Sequence, residues 1–259
     1  MPGVPHPVIR AVGGYLRDAR KRRFIFPQQP ADLLHVSEET VFAMEAGHTP
    51  IMFRHIDLLC RLYNCSDDIP ALKNLVSAAV HRSGGVGDEV PGHHRRLAGC
   101  ARQATKVRWL ATDLIPPPVQ TDDYARAANS PPSNLPGAPL AFQPRPQLLV
   151  DERILHTEEI AADVMVEQLQ YLLIQEDYEV RVMPGRIPML CDPMVLMTMP
   201  AGFVLAHPTS RGVLYRATEQ PPPQVSEVWD FTTYASSRLL LQYATQQHLA
   251  RDRVHAGAV

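Results

Sequence analysis

Between Pro116 and Pro146 the chain is too dense in proline to carry ordinary secondary structure. Pro116-Pro117-Pro118 comes first, and a second Pro-rich stretch runs from Pro131 to Pro146. Each proline lacks an amide hydrogen and has a fixed φ, so the stretch can be neither a regular helix nor a central strand. It reads as an extended arm or a cover, with regular structure built on either side. A second break, Ser83-Gly84-Gly85-Val86-Gly87, is short and flexible. Three segments follow: 1–82, 83–146 and 147–259.

Segment 1–82 reads as five short helices. Ile9, Val12, Leu16 and Ala19 form an apolar stripe at helical spacing, closed by the basic run Arg17 to Arg23, which suits the negative end of a helix dipole. Ala31 to His35 fits a short second helix, and Ser37 is a good N-cap for a third. Phe53, Ile56, Leu59, Cys60 and Tyr63 stripe a fourth helix. Leu72, Leu75, Val76 and Ala79 stripe a fifth. Residues 94–113 are expected to be helical. From 147 the pattern alternates between strand and helix. Strands are expected at Gln147–Asp151, Tyr178–Met183, Met194–Met199, Phe203–Ala206 and Val213–Tyr215, with helices at Glu158–Gln175 and about Gln224–Arg251. The fold class is therefore α+β: an N-terminal helical domain and a C-terminal α+β domain with a small, mainly antiparallel sheet.

The formal net charge is −2, so no overall basic field draws the chain to nucleic acid. No apolar run approaches the ~20 residues of a membrane span. Met1-Pro2-Gly3-Val4-Pro5-His6 lacks the layout of a signal peptide, and a cytoplasmic protein is expected. The four cysteines, Cys60, Cys65, Cys100 and Cys191, form no CxxC pair and are expected to be reduced and structural.

Several strings carry a family resemblance. In the N-terminal segment they are Ser37, Val41, Met44, Glu45, Gly47 and Pro50, followed by Leu58, Leu62 and Tyr63. Further on come Ile115-Pro116, Gln120-Thr121-Asp122-Asp123-Tyr124-Ala125-Arg126-Ala127, Val150-Asp151-Glu152, Gln168-Leu169-Gln170-Tyr171-Leu172 and Val180-Arg181-Val182-Met183-Pro184. Together they resemble the actinobacterial XRE-type (Cro/repressor-like) helix-turn-helix regulators that carry a C-terminal domain of unknown function. The resemblance implies a lambda-repressor-like five-helix module, homodimerisation and a C-terminal sensing or partner-binding domain.

The departures from that pattern lie where such a protein would read DNA. The family's second helix usually carries Ser-Gln-Glu-Glu-Leu-Ala; here the register gives Phe26-Pro27-Gln28-Gln29-Pro30-Ala31, and the glycine of the turn is His35. The reading positions of the third helix are Glu38, Glu39, Phe42 and Ala43, none of them a bidentate base reader. Glu38, Glu39 and Glu45 lie on that helix without Lys or Arg. DNA presents a charge about every 1.7 Å, and a carboxylate some 4 Å from a phosphate costs roughly 1 kcal/mol in water and about 4 at a protein surface. Loss of DNA reading is expected. In the alternative, a ligand-responsive DNA-binding regulator, Thr40 touches DNA while Arg54 and the cluster at 20–23 hold phosphates.

With DNA reading lost, function moves to the C-terminal segment. Met183, Met189, Met194, Met197 and Met199, with Leu190 and Phe203, form a soft apolar set that suits either a pocket for an apolar small molecule or ordinary core. Met197 and Met199 share one face of a strand. Trp109, Tyr124, Met183, Met197, Met199 and Tyr215 are the candidate ligand-binding residues. Asp151 and Glu152 are the candidate proton-transfer groups of a cofactor-independent enzyme of specialised metabolism, a cyclase or isomerase. The competing role for this pair is a helix N-terminal carboxylate or an ion pair with Arg153. Cys191 and His207 are weaker catalytic candidates. His93 and His94 with Cys100 make too few ligands for a metal site, and no cofactor motif is present. A third reading is an interaction protein that binds a small companion, which predicts an exposed apolar patch.

Overall fold

The computed structural model describes residues 7–80, 85–102, 104–129, 146–183, 192–199, 202–209, 211–218, 220–223, 229, 232 and 234–256. Residues 130–145 of the Pro-rich stretch, Met189, Leu190 and Cys191 lie outside the described residues, as do 224–228, 230, 231 and 233 of the last expected helix. The chain forms two compact units. One comprises Met1–Val107 with Val195–Gln220, the other Arg108–Met194 with Pro221–Val259. The fold is α+β.

The first unit begins with five helices: α1 (Pro7–Arg22), α2 (Gln28–Leu34), α3 (Glu38–Glu45), α4 (Phe53–Leu62) and α5 (Ile69–Val80). The stripe Ile9, Val12, Leu16 and Ala19 is buried as its spacing requires, as are Ile56 and Leu59 on α4 and Leu72 and Leu75 on α5. Pro30 is only the third residue of α2, where its missing N–H is one of the amides a helix start leaves unpaired, so the helix tolerates it. His35 closes α2 at φ 55, in the left-handed region that usually selects glycine. Ser37 caps α3 by accepting the Thr40 amide at 3.2 Å. Gly47 (φ +70) cannot be replaced without strain, since a Cβ would lie 2.6 Å from the Cα of Arg10.

The same unit holds β1 (Val86–Asp88), α6 (His93–Ala101) and two later strands, β6 (Gly202–Pro208) and β7 (Val213–Thr218). β1 pairs antiparallel with β7, and β7 with β6; β6 pairs antiparallel with β5 (Met194–Met199) from Val195↔Ala206 to Met199↔Gly202. The glycine run expected to be a flexible break thus gives way to a strand at Val86.

The expected helix over 94–113 is a correction. Helix α6 ends at Ala101, and strand β2 (Lys106–Ala111) follows. Val107 and Trp109 favour a strand, and pairing with a neighbouring strand overrides the helical spacing that precedes them. In the second unit β2 pairs parallel with β3 (Gln147–Asp151), which pairs parallel with β4 (Glu179–Met183). Parallel pairing needs crossovers, and helices supply them: α7 (Asp122–Ala127) between β2 and β3, α8 (Glu152–Leu155) and α9 (Ala162–Ile174) between β3 and β4. Helix α10 (Tyr234–Ala256) closes the unit. Leu148, Val150, Val180 and Val182 bury against Met165, Leu169, Leu172 and Leu241.

Candidate functional site

The outward face of α2, the turn and α3 is built from both polar and apolar groups. Gln28, Val36, Ser37, Glu38, Glu39 and Phe42 line an open cleft of about 410 Å³. Glu39 is fully exposed, and its carboxyl is held below the usual range by an amide at the helix start and by the Ser37 hydroxyl, so it stays charged. Glu45, expected as a third surface carboxylate of α3, instead points inward. It is buried and forms a two-pronged ion pair with Arg20, Nε to Oε1 at 2.6 Å and Nη2 to Oε2 at 2.7 Å. Arg20 therefore leaves the basic cluster expected to face solvent, whereas Lys21, Arg22 and Arg23 remain exposed. Thr40 is half-buried, with its hydroxyl 3.2 Å from Ser37 Oγ inside the cap, and Arg54 is exposed in the first turn of α4.

These helices, the turn before α2 and helix α4 also expose large apolar side chains. Phe24 is 89% exposed, Phe26 75% and Phe42 44%, and Leu33, Met52, Phe53 and Leu58 are also exposed. The residue identities contained the signal: Phe24 and Phe26 sit in a turn between Arg23 and Pro27, where no helical stripe can bury them.

The candidates of the C-terminal segment fall in different places. Asp151 is buried at the start of α8. One of its oxygens accepts the Arg153 amide and Nε, both at 2.9 Å, and the other accepts Arg153 Nη2 at 2.7 Å. It thus caps α8 and pairs with Arg153. Glu152, the next residue, lies 3.9 Å from His156 Nε2. Tyr124 and Met183 are buried in the second unit, and Trp109 packs partly buried against its core. Met197, Met199 and Tyr215 are buried in the first unit. Burial raises the Tyr215 phenol well above its usual range. His207 lies on β6, and the rings of His93 and His94 are tilted at 54° with centroids 3.9 Å apart. The Cys100 thiol donates to the Ala11 carbonyl at 3.2 Å.

The Gln-Thr-x-x-Tyr-Ala-Arg-Ala string has a structural role. Gln120 Nε2 donates to the Ile115 carbonyl at 2.6 Å, and Tyr124 Oη accepts the Ile115 amide at 3.3 Å. Thr121 caps α7. Gln168, fully buried on α9, accepts the Thr121 amide at 2.7 Å and donates to the Val119 carbonyl at 2.8 Å. A loop rich in proline offers few amides of its own, so side-chain amides pin it down. Elsewhere, the Trp229 ring meets the guanidinium groups of Arg181 (4.3 Å) and Arg108 (5.5 Å), and Arg181 bridges Glu179 to the carbonyls of Trp229 and Thr232.

These features define an α+β protein whose first unit carries N-terminal helices with an acidic and aromatic outer face, and whose second unit contains a pinned Pro-rich corner. The chain belongs to the family described as Domain of unknown function (DUF5753), whose model matches residues 94–230. No curated protein and no solved structure matches it. Among the described residues no helix is long and apolar enough to cross a membrane.

Proposed function

We propose that this chain is a regulator-type protein whose helix-turn-helix module binds a polypeptide and no longer reads DNA. One observation carries the reading. The outward positions of α3 are Glu38, Glu39 and Phe42, with no cation among them, and the turn leading into α2 exposes Phe24 and Phe26. Phosphate neutralisation supplies most of the energy of DNA binding, and carboxylates at these positions oppose it. Exposed aromatics beside carboxylates suit a partner with a basic and apolar face.

The small-molecule reading, with cyclase or isomerase chemistry, draws less support. Asp151 is engaged by Arg153 through both oxygens, and the methionines and aromatics assigned to a pocket are split between two units. The DNA-binding regulator remains the second reading. The capped turn between α2 and α3 and the exposed Lys21, Arg22, Arg23 and Arg54 favour it.

The test pairs two titrations of the purified chain, followed by fluorescence anisotropy. One uses labelled duplex from its own upstream region, the other the small proteins encoded beside it. The reading expects weak, sequence-independent binding of DNA at physiological salt. It also expects a neighbour-encoded protein to bind, with affinity lost in Phe42→Ala and in Glu38→Lys/Glu39→Lys. Sequence-selective DNA binding unaffected by Phe42→Ala establishes the regulator instead.

A further inference from the structure

The end of α4 brings two cysteines together. Asn64 takes a left-handed conformation (φ 57), and the Cys65 amide reaches back to the Cys60 carbonyl at 2.8 Å. This is a Schellman closure, in which the residue after the left-handed position meets the side chain one turn back. An apolar pair usually fills that contact. Here it is Cys60, fully buried, and Cys65, half-buried, and each thiol shifts the titration of the other. Both are free.

We propose that Cys60 and Cys65 form a redox pair that closes to an intramolecular disulfide when Cys65 meets a hydroperoxide. Cys65 is the less buried of the two and reacts first. It takes an oxygen as the O–O bond breaks, giving a sulfenic acid and releasing water from hydrogen peroxide. The Cys60 sulfur then attacks the Cys65 sulfur. The S–O bond breaks, the S–S bond forms, and a second water carries away the thiol proton. Two electrons pass from the thiol pair to the peroxide, and a dithiol reductant reverses the change.

Several neighbours favour this order. The two thiols shift each other, Cys65 below its usual range and Cys60 above it; burial and Asp68 oppose the lowering at Cys65, and Arg22 adds to it. Tyr15 also faces Cys65, although its hydroxyl donates to Asp68. Thiolate character and access select which cysteine a peroxide oxidises, and of this pair Cys65 is the less buried and has the lower thiol pKa. Cys100 is buried with its thiol raised, so it is the internal control.

The test is peroxide treatment of the full native chain, blocking of remaining thiols with an alkylating reagent added together with denaturant, and tryptic mapping by mass spectrometry. Cleavage after Arg54, Arg61 and Lys73 separates the two cysteines into peptides 55–61 and 62–73. The expected result is a cross-linked pair of these peptides, absent before treatment and after dithiothreitol, with Cys100 still alkylated as a thiol. In Cys60→Ser the sulfenic acid persists on Cys65 and is trapped by dimedone; in Cys65→Ser neither product forms. The wild-type map stands even if a variant fails to fold. The inference is overturned if both thiols stay alkylatable, if Cys65 proceeds to the sulfinic acid without cross-linking, or if it pairs with Cys191 or a second chain.

Discussion

Arg20 on α1 grips Glu45 on α3 through two charge-assisted hydrogen bonds, 2.6 and 2.7 Å long, with both side chains nearly excluded from water. Arg20 also donates to the Ile25 carbonyl at 3.0 Å, which holds the turn after α1. The pair spends one acid and one base that composition alone would place on the surface. Arg20→Met or Glu45→Leu should each destabilise the chain by about 3–5 kcal/mol, because the remaining charge stays buried and unpaired. The double replacement should cost much less than the sum. Urea denaturation of the four proteins in a double-mutant cycle checks this; additive losses would mean the ion pair contributes nothing specific.

A second buried arginine joins more of the unit. Arg96 on α6 donates to Asp88 on β1 through Nε (2.8 Å) and Nη2 (2.7 Å), pairs with Asp68, and reaches the Val90 carbonyl at 2.6 Å. Tyr15 donates to the other oxygen of Asp68. A guanidinium can satisfy all these acceptors because its five N–H groups are fixed in a fork, which an ammonium cannot copy. Arg96→Lys should therefore destabilise almost as much as Arg96→Met, by about 3–5 kcal/mol. Differential scanning calorimetry would show it, and a Lys variant within roughly 1 kcal/mol of wild type would sink the argument.

Elements with strong local signals were legible in the sequence. Strands Gln147–Asp151 and Met194–Met199 fall where their composition puts them, and Ser37 caps α3. The strand Lys106–Ala111 was hidden because its choice is made by parallel pairing with Gln147–Asp151, a partner remote in sequence. Helix α7 was hidden for a related reason: a six-residue helix has no usable periodicity, and its stability comes from Thr121 and Gln168. At the candidate site the sequence revealed Glu38, Glu39 and Phe42. It did not reveal that Glu45 turns inward, since the position of Arg20 opposite it is a tertiary fact.

Acid should act on the chain through His94. Burial, then the neighbouring His93 and Arg96, lower its pKa from 6.5 to about 4. Between these values the unfolded chain binds a proton that the folded chain refuses, so stability falls as pH drops from about 6.5 towards 4 and levels off below that. His94→Gln removes this titration. The melting temperature of the variant should fall less than that of wild type between pH 7 and pH 4.5, and parallel curves would exclude His94 as the group responsible.

Gln168 should matter more than its neutral side chain suggests. Its amide serves two backbone groups of the Ile115–Thr121 loop, accepting from the Thr121 amide and donating to the Val119 carbonyl. Gln168→Met keeps the volume and removes both bonds. The Val119 carbonyl is buried there, and a stranded buried group costs roughly 1–3 kcal/mol, with the half-buried Thr121 amide adding less. Thr121→Ala removes only the cap to the Tyr124 amide, 3.3 Å away, and should cost about 1 kcal/mol. Gln168→Met should therefore be the more damaging of the two in chemical denaturation, and amide hydrogen exchange at 115–121 should rise in it selectively. Equal losses, or exchange that rises evenly across the second unit, would show that the corner is held by packing and not by the Gln168 amide.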